Sequence, residues 1–197
     1  DAIGFSVSGA SFQLVSVTDA AGSSSYLGLS AGLSAALLGI DALDVQVTGS
    51  VKLNQGDAGG ERIDWTVATG LANDPDFLLA DLTISQAISL QVKGTASLDI
   101  AEGTVVAVVT DFTLNMATMD VVTGNGDLGT LTGANVLSIE ITGASLFAGT
   151  GAELNAGRDG INTLSGEGSL TSDAIGFSVS GASFQLVSVT DAAGSSS

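Results

Sequence analysis

Residues Leu43 to Asn54 read LDVQVTGSVKLN, and this dozen decides the fold class. Leu43, Val45, Val47, Gly49, Val51 and Leu53 alternate with Asp44, Gln46, Thr48, Ser50, Lys52 and Asn54. Successive side chains of a strand point to opposite faces, so the pattern predicts one apolar face and one polar face. A helix would scatter both sets around its axis. The same alternation runs from Ile88 to Leu98, and from Ile63 to Val67, where Trp65 shares the apolar side. Leu27 to Ile40 fits a short helix or a strand by spacing. Gly28 and Gly32 disfavour the helix, so a strand is predicted there too.

Punctuation between these runs is turn-like. Asp19-Ala-Ala-Gly-Ser, Gly56-Asp-Ala-Gly-Gly, Glu102-Gly, Gly124-Asn-Gly-Asp and Gly157-Arg-Asp-Gly supply residues that tolerate positive φ or cap turns with side-chain oxygens. The expected class is all-β.

Self-similarity sets the organisation. Residues 1–25, DAIGFSVSGASFQLVSVTDAAGSSS, recur without a mismatch at 173–197. The expectation is a stretch of a longer array: residues 1–172 form one full repeat, and 173–197 begin the next. Within that period, four segments share a polar start, alternating large apolar residues and a closing glycine. They are Asp41–Gly49, Gln86–Gly94, Asn135–Gly143 and Asp173–Gly181, with Asp1–Gly9 repeating the fourth. The closing glycines predict a bend or bulge made in the same way by each of four degenerate units of roughly 43 residues. Two arrangements fit such units. An elongated β-solenoid-like rod is preferred, with stacked antiparallel β-meanders as the alternative. An immunoglobulin-type sandwich fits less well, since Trp65 is the sole tryptophan.

Composition narrows the function. The net charge is −17, from 21 acidic and four basic residues, and such a surface repels phosphate backbones and anionic headgroups. Nucleic acid is excluded as a partner on that ground, and divalent cations are a natural counter-charge. Cysteine and histidine are both absent, which removes disulfides, the thiol nucleophile, the usual zinc ligands and the usual general base near neutrality. No Gly-rich loop carries the Lys and Ser/Thr of a phosphate cradle. Asp57 with Glu61 is a carboxylate pair in a turn without an aromatic platform. No enzyme activity is expected. No apolar run is long enough for a transmembrane helix, and no basic-then-apolar leader opens the sequence.

Two oxygen-rich turns are calcium candidates: Asn73-Asp-Pro-Asp76, through Asp74 and Asp76, and Asn125-Gly-Asp127, through Asn125 and Asp127. Their other reading is Asx turns that bond their own backbone. Trp65 and Tyr26 read as core anchors rather than sugar platforms. An apolar groove for lipid is a further reading of the same hydrophobic residues, and a closed core explains them more simply.

Gly39–Val47 (GIDALDVQV), Lys52–Gln55 (KLNQ), Arg62–Trp65 (RIDW), Val67–Gly70 (VATG) and Ser89–Val106 (SLQVKGTASLDIAEGTVV) resemble the repeats of giant bacterial surface proteins, often labelled haemagglutinin- or adhesin-like. The resemblance covers roughly the middle 40% of the chain. It implies a long secreted, non-catalytic chain acting in attachment or cell–cell contact. Its partners would be flanking repeats, other copies in a filament or bundle, and cell-surface glycans. The calcium-binding GGxGxD run common in such giants is absent from this sequence. The alternative function is a carbohydrate- or hydrophobic-ligand-binding module.

Overall fold

A computed structural model of the chain describes residues 4–38, 43–57, 60–68 and 82–192. It is all-β, with no α-helix among the described residues. The long strands are β1 (Gly4–Thr18), β2 (Ser25–Leu38), β3 (Leu43–Gln55), β4 (Ile88–Ile100), β5 (Val105–Val122), β6 (Thr130–Thr150) and β9 (Ile175–Thr190). They form one open antiparallel sheet in the order β1-β2-β3-β4-β5-β6-β9. Two short strands, β7 (Glu153–Leu154) and β8 (Ile161–Asn162), make a separate hairpin.

The solenoid coils expected from the sequence are not what forms; each long strand pairs antiparallel with its neighbour in the sheet. Alternation encodes the faces of a strand and leaves its direction open. The connections decide it. Residues 19–24, 101–104 and 123–129 join β1 to β2, β4 to β5 and β5 to β6. Links this short close hairpins, whereas parallel neighbours need crossovers of about a dozen residues or more.

Register carries the alternation across the whole sheet. Phe12, Ala31, Val51, Val92, Leu114, Ile139 and Leu186 stand side by side through six successive pairings. Val7, Ala35, Val47, Ala96, Val109, Ala144 and Ala182 form a second such row. Both rows lie on one face. The opposite face carries Gln13, Ser30, Lys52, Gln91, Asn115 and Ser138 in one row, and Asp44 beside Asp99 in another.

The described residues of the two longer connections lie over the polar face. Between β3 and β4, Trp65, Leu82 and Ile84 form a buried cluster against Val15, Val17 and Tyr26. A Cβ on Gly28 would meet Leu82 Cδ1 at 2.6 Å and Trp65 Cε2 at 2.7 Å, so only glycine admits this packing. Trp65 Nε1 donates to Asn54 Oδ1 at 2.8 Å, and Asn54 Nδ2 donates to the carbonyls of Ile63 (2.9 Å) and Ser85 (3.2 Å). Residues 151–174 cover the other end of that face, where Val106, Phe147 and Ala152 form the second buried cluster. Arg158 pairs there with Asp44 and donates to Ser97 Oγ at 3.2 Å.

Ile63 to Val67 is not the strand the alternation predicted. Asp64 ends the run: its carboxylate accepts the Thr66 N–H at 3.0 Å, and its carbonyl accepts the Ala68 N–H at 3.0 Å. An aspartate that bonds its own backbone two residues on makes a turn. Leu27 onward does form strand β2, as alternation and its glycines required.

Candidate functional site

The recurring glycines converge on the middle of the sheet. Gly49 and Gly94 are direct cross-strand partners, and Leu33 pairs with Gly49 while Phe112 pairs with Gly94. Gly9, Gly143 and Gly181 instead adopt φ of +61°, +64° and +66°, where the register of β1, β6 and β9 shifts. The bend is therefore not made identically by each motif. Three glycines make bulges, and two leave a gap without side chains.

That gap opens a groove of about 550 Å³ on the apolar face, walled by Leu33, Val47, Val51, Val92, Phe112 and Ile141. Around it, hydrophobic side chains stand in solvent: Phe12 is 67% exposed, Phe184 53% and Met116 45%. No charged residue falls on this face in the paired rows of β1 to β6 and β9.

The outermost strands form the second feature. β1 and β9 share the sequence GFSVSGASFQLVSVT, at residues 4–18 and 176–190, and occupy opposite edges of the sheet. Six antiparallel steps return the chain to its starting direction. They also return it to its starting face: Phe12 shares a row with Leu186, the counterpart of Leu14. The row thus shifts by two residues between the two identical strands, and a shift of two preserves the face. β1 uses one edge to bind β2, and its copy uses the other edge to bind β6. Val15 and Val17 of β1 pack against the Trp65 cluster, while their counterparts Val187 and Val189 are 65% and 39% exposed.

The calcium candidates divide. Asp74 and Asp76 lie outside the described residues. Asn125 and Asp127 sit in the β5–β6 turn, where Asn125 Oδ1 accepts the Asp127 N–H at 3.0 Å. The Asn125 carbonyl accepts the N–H of Leu128 (3.2 Å) and of Gly129 (2.9 Å). Among the described residues no group of three or more acidic side chains gathers as metal ligands would. Asp57 and Glu61 close a turn on each other: the Glu61 N–H donates to Asp57 Oδ1 at 3.1 Å and the Asp57 N–H to the Glu61 carbonyl at 3.0 Å.

Among the described residues, Asp19, Glu153 and Glu167 have pKa values held below the ordinary carboxylate values. The Ser23 hydroxyl, then the Ser24 N–H, holds Asp19 low. The Ser169 hydroxyl, then the Ser169 N–H and the Asn162 amide, does the same for Glu153. The N–H groups of Leu164 and Thr163 hold Glu167 low. Each is a turn cap kept ionised, the reverse of the raised carboxyl that general-acid catalysis needs. Sequence reasoning missed the role of Glu153, whose partners lie nine and 16 residues away. Comparison with protein-family models, with curated proteins and with solved structures finds no match.

Proposed function

We propose that the chain is a non-catalytic structural and adhesive repeat of a giant extracellular, filament-like protein, acting in cell-surface architecture or attachment. One observation carries the reading: identical strands stand at opposite edges of the sheet, in the same direction and on the same face. The outer edge of β9 offers the groups to which the same sequence, as β1, binds Ser25–Leu38. Val187 and Val189 wait uncovered where the Trp65 cluster of a following period would lie. A following period thus extends the sheet by six strands, and the array becomes one ribbon. The resemblance of Gly39–Leu114 to surface-protein repeats supports the extracellular setting, and the absence of histidine and cysteine supports a role without catalysis.

Electron microscopy of a chain with four periods tests this. Six strand spacings give an axial advance of about 29 Å per period in a filament of constant width. Separate beads on tethers would remove the continuous ribbon. Divalent cations, as counter-ions to a surface of −17 per chain, would make the filaments sensitive to EDTA.

A second reading, a hydrophobic-ligand module, is favoured by the Gly49/Gly94 groove. A carbohydrate site at Trp65 is disfavoured, because that ring is fully buried. Saturable binding of a fatty-acid probe, abolished by Val92→Glu, would favour the ligand module.

A further inference from the structure

Among the described residues nothing packs on the apolar face, and Phe12, Val47, Val51, Met116 and Phe184 stand exposed on it. A sheet with one apolar face is stable only when that face packs against a second layer. The described residues of its two long connections pack on the other face, at Trp65 and at Phe147. We propose that the bare face packs against the same face of a second copy of the chain, giving a two-layer sandwich. This inference stands apart from edge-to-edge continuation, and holds whether or not sheets join end to end.

Size and charge select this occupant. Seven strands at about 4.8 Å and some 12 residues at about 3.4 Å give a face of roughly 34 by 40 Å, on the order of 1,300 Å² per copy. Stable interfaces need about 800 Å² per partner, so the face suffices alone. The layer that covers it must be equally wide and apolar, and a second copy meets both requirements by identity. Charge fixes which faces meet. Asp44, Lys52, Lys93, Asp99 and Glu140 all lie on the polar face. Packing the apolar faces together leaves both polar faces, and most of the −17 charge of each copy, in water. The reverse packing would take the charges of Asp44, Lys52, Lys93, Asp99 and Glu140 out of water and meet the residues that already cover that face. A bilayer surface is the competing occupant, and the same negative charge repels anionic headgroups.

Sedimentation equilibrium of the 197-residue chain is the test. The expected species is a dimer of the 19.3 kDa chain. Val51→Lys, at the centre of the face, is expected to weaken association at least ten-fold while far-UV dichroism stays that of a sheet. Should that variant fail to fold, Phe12→Lys repeats the test at a position 67% exposed. Thr113→Lys, on the polar face between Lys93 and Glu140, leaves the dimer intact. A chain that stays monomeric at every concentration overturns the proposal. So does a dimer indifferent to both face substitutions, or a monomer that floats with phosphatidylcholine vesicles.

Discussion

Gly49 and Gly94 stand opposite each other across β3 and β4, so close that a Cβ on Gly94 would lie 2.7 Å from the Thr48 carbonyl oxygen. Their φ angles are ordinary for strands, so space rather than conformation demands glycine here. Gly181 is the converse: φ is +66° and nothing lies within 4 Å of its Cβ position. One sequence motif thus meets two different physical requirements.

Gly94→Ala is therefore expected to cost about 1–3 kcal/mol, because backbone must shift to admit the methyl. Gly181→Ala meets only the conformational penalty of a positive φ, about 1–2 kcal/mol, on an edge strand. Urea unfolding of both variants measures the difference. Equal costs would mean that β3 and β4 separate more easily than their pairing implies.

Asn54 is a buried group of β3 that ties the β3–β4 connection to the sheet by three hydrogen bonds, to Trp65, Ile63 and Ser85. It is 1% exposed. Asn54→Leu keeps the volume and strands an indole N–H and two carbonyls, each costing about 1–3 kcal/mol if left dry. The expected outcome is a loss of several kcal/mol and a red shift of Trp65 fluorescence at mild denaturant, before the sheet unfolds. A single transition at the wild-type midpoint would show that water replaces Asn54 without cost.

The all-β class was legible because apolar and polar residues alternate from Leu43 to Asn54, and register extends that pattern over seven strands. Turn positions were legible for the same kind of reason: Asp19 accepts the Ser23 N–H at 2.7 Å, as an aspartate before Gly-Ser should. Strand direction was not legible, since alternation is identical for parallel and antiparallel partners. Nor was the division of the motif glycines into bulges and a paired gap, which depends on what each strand faces. The Trp65 segment misled because Asp64 breaks a pattern only three apolar residues long. The edges were half legible. The 25-residue identity was plain, and its meaning required knowing that six strand pairings, an even number, separate the two copies in the sheet.

Acid destabilisation should begin at the β7–β8 hairpin. The Ser169 hydroxyl donates to Glu153 Oε2, and Oε1 accepts the Ser169 N–H at 2.7 Å and the Asn162 amide at 3.2 Å; in that order these bonds hold its pKa below the ordinary glutamate value. A depressed folded pKa means that the folded state binds fewer protons than the unfolded one between the two values. The contribution is complete above the unfolded value near pH 4.3 and is lost as pH falls through the folded value. Urea midpoints of the wild type should hold above about pH 5 and fall below it. Glu153→Gln should start lower and fall less steeply, since glutamine does not titrate. Parallel curves would show that the hairpin opens before the global transition.

The Asn125–Asp127 turn offers the sharpest test of a bound ion, because its oxygen is already engaged. Asn125 Oδ1 accepts the Asp127 N–H, and Thr123 Oγ1 donates to the Gly129 carbonyl at 2.7 Å, so the loop closes on its own groups. Asn125→Ala removes that acceptor and should cost about 1 kcal/mol, the worth of one local hydrogen bond. Asp127→Asn keeps the backbone N–H that Asn125 holds and should leave stability within about 0.5 kcal/mol, as for most surface substitutions. Thermal melts with calcium and with EDTA should then show the same response for Asp127→Asn as for the wild type. A calcium-dependent rise in Tm that disappears only in Asp127→Asn would place an ion in this turn, with the Asp127 carboxylate as its ligand.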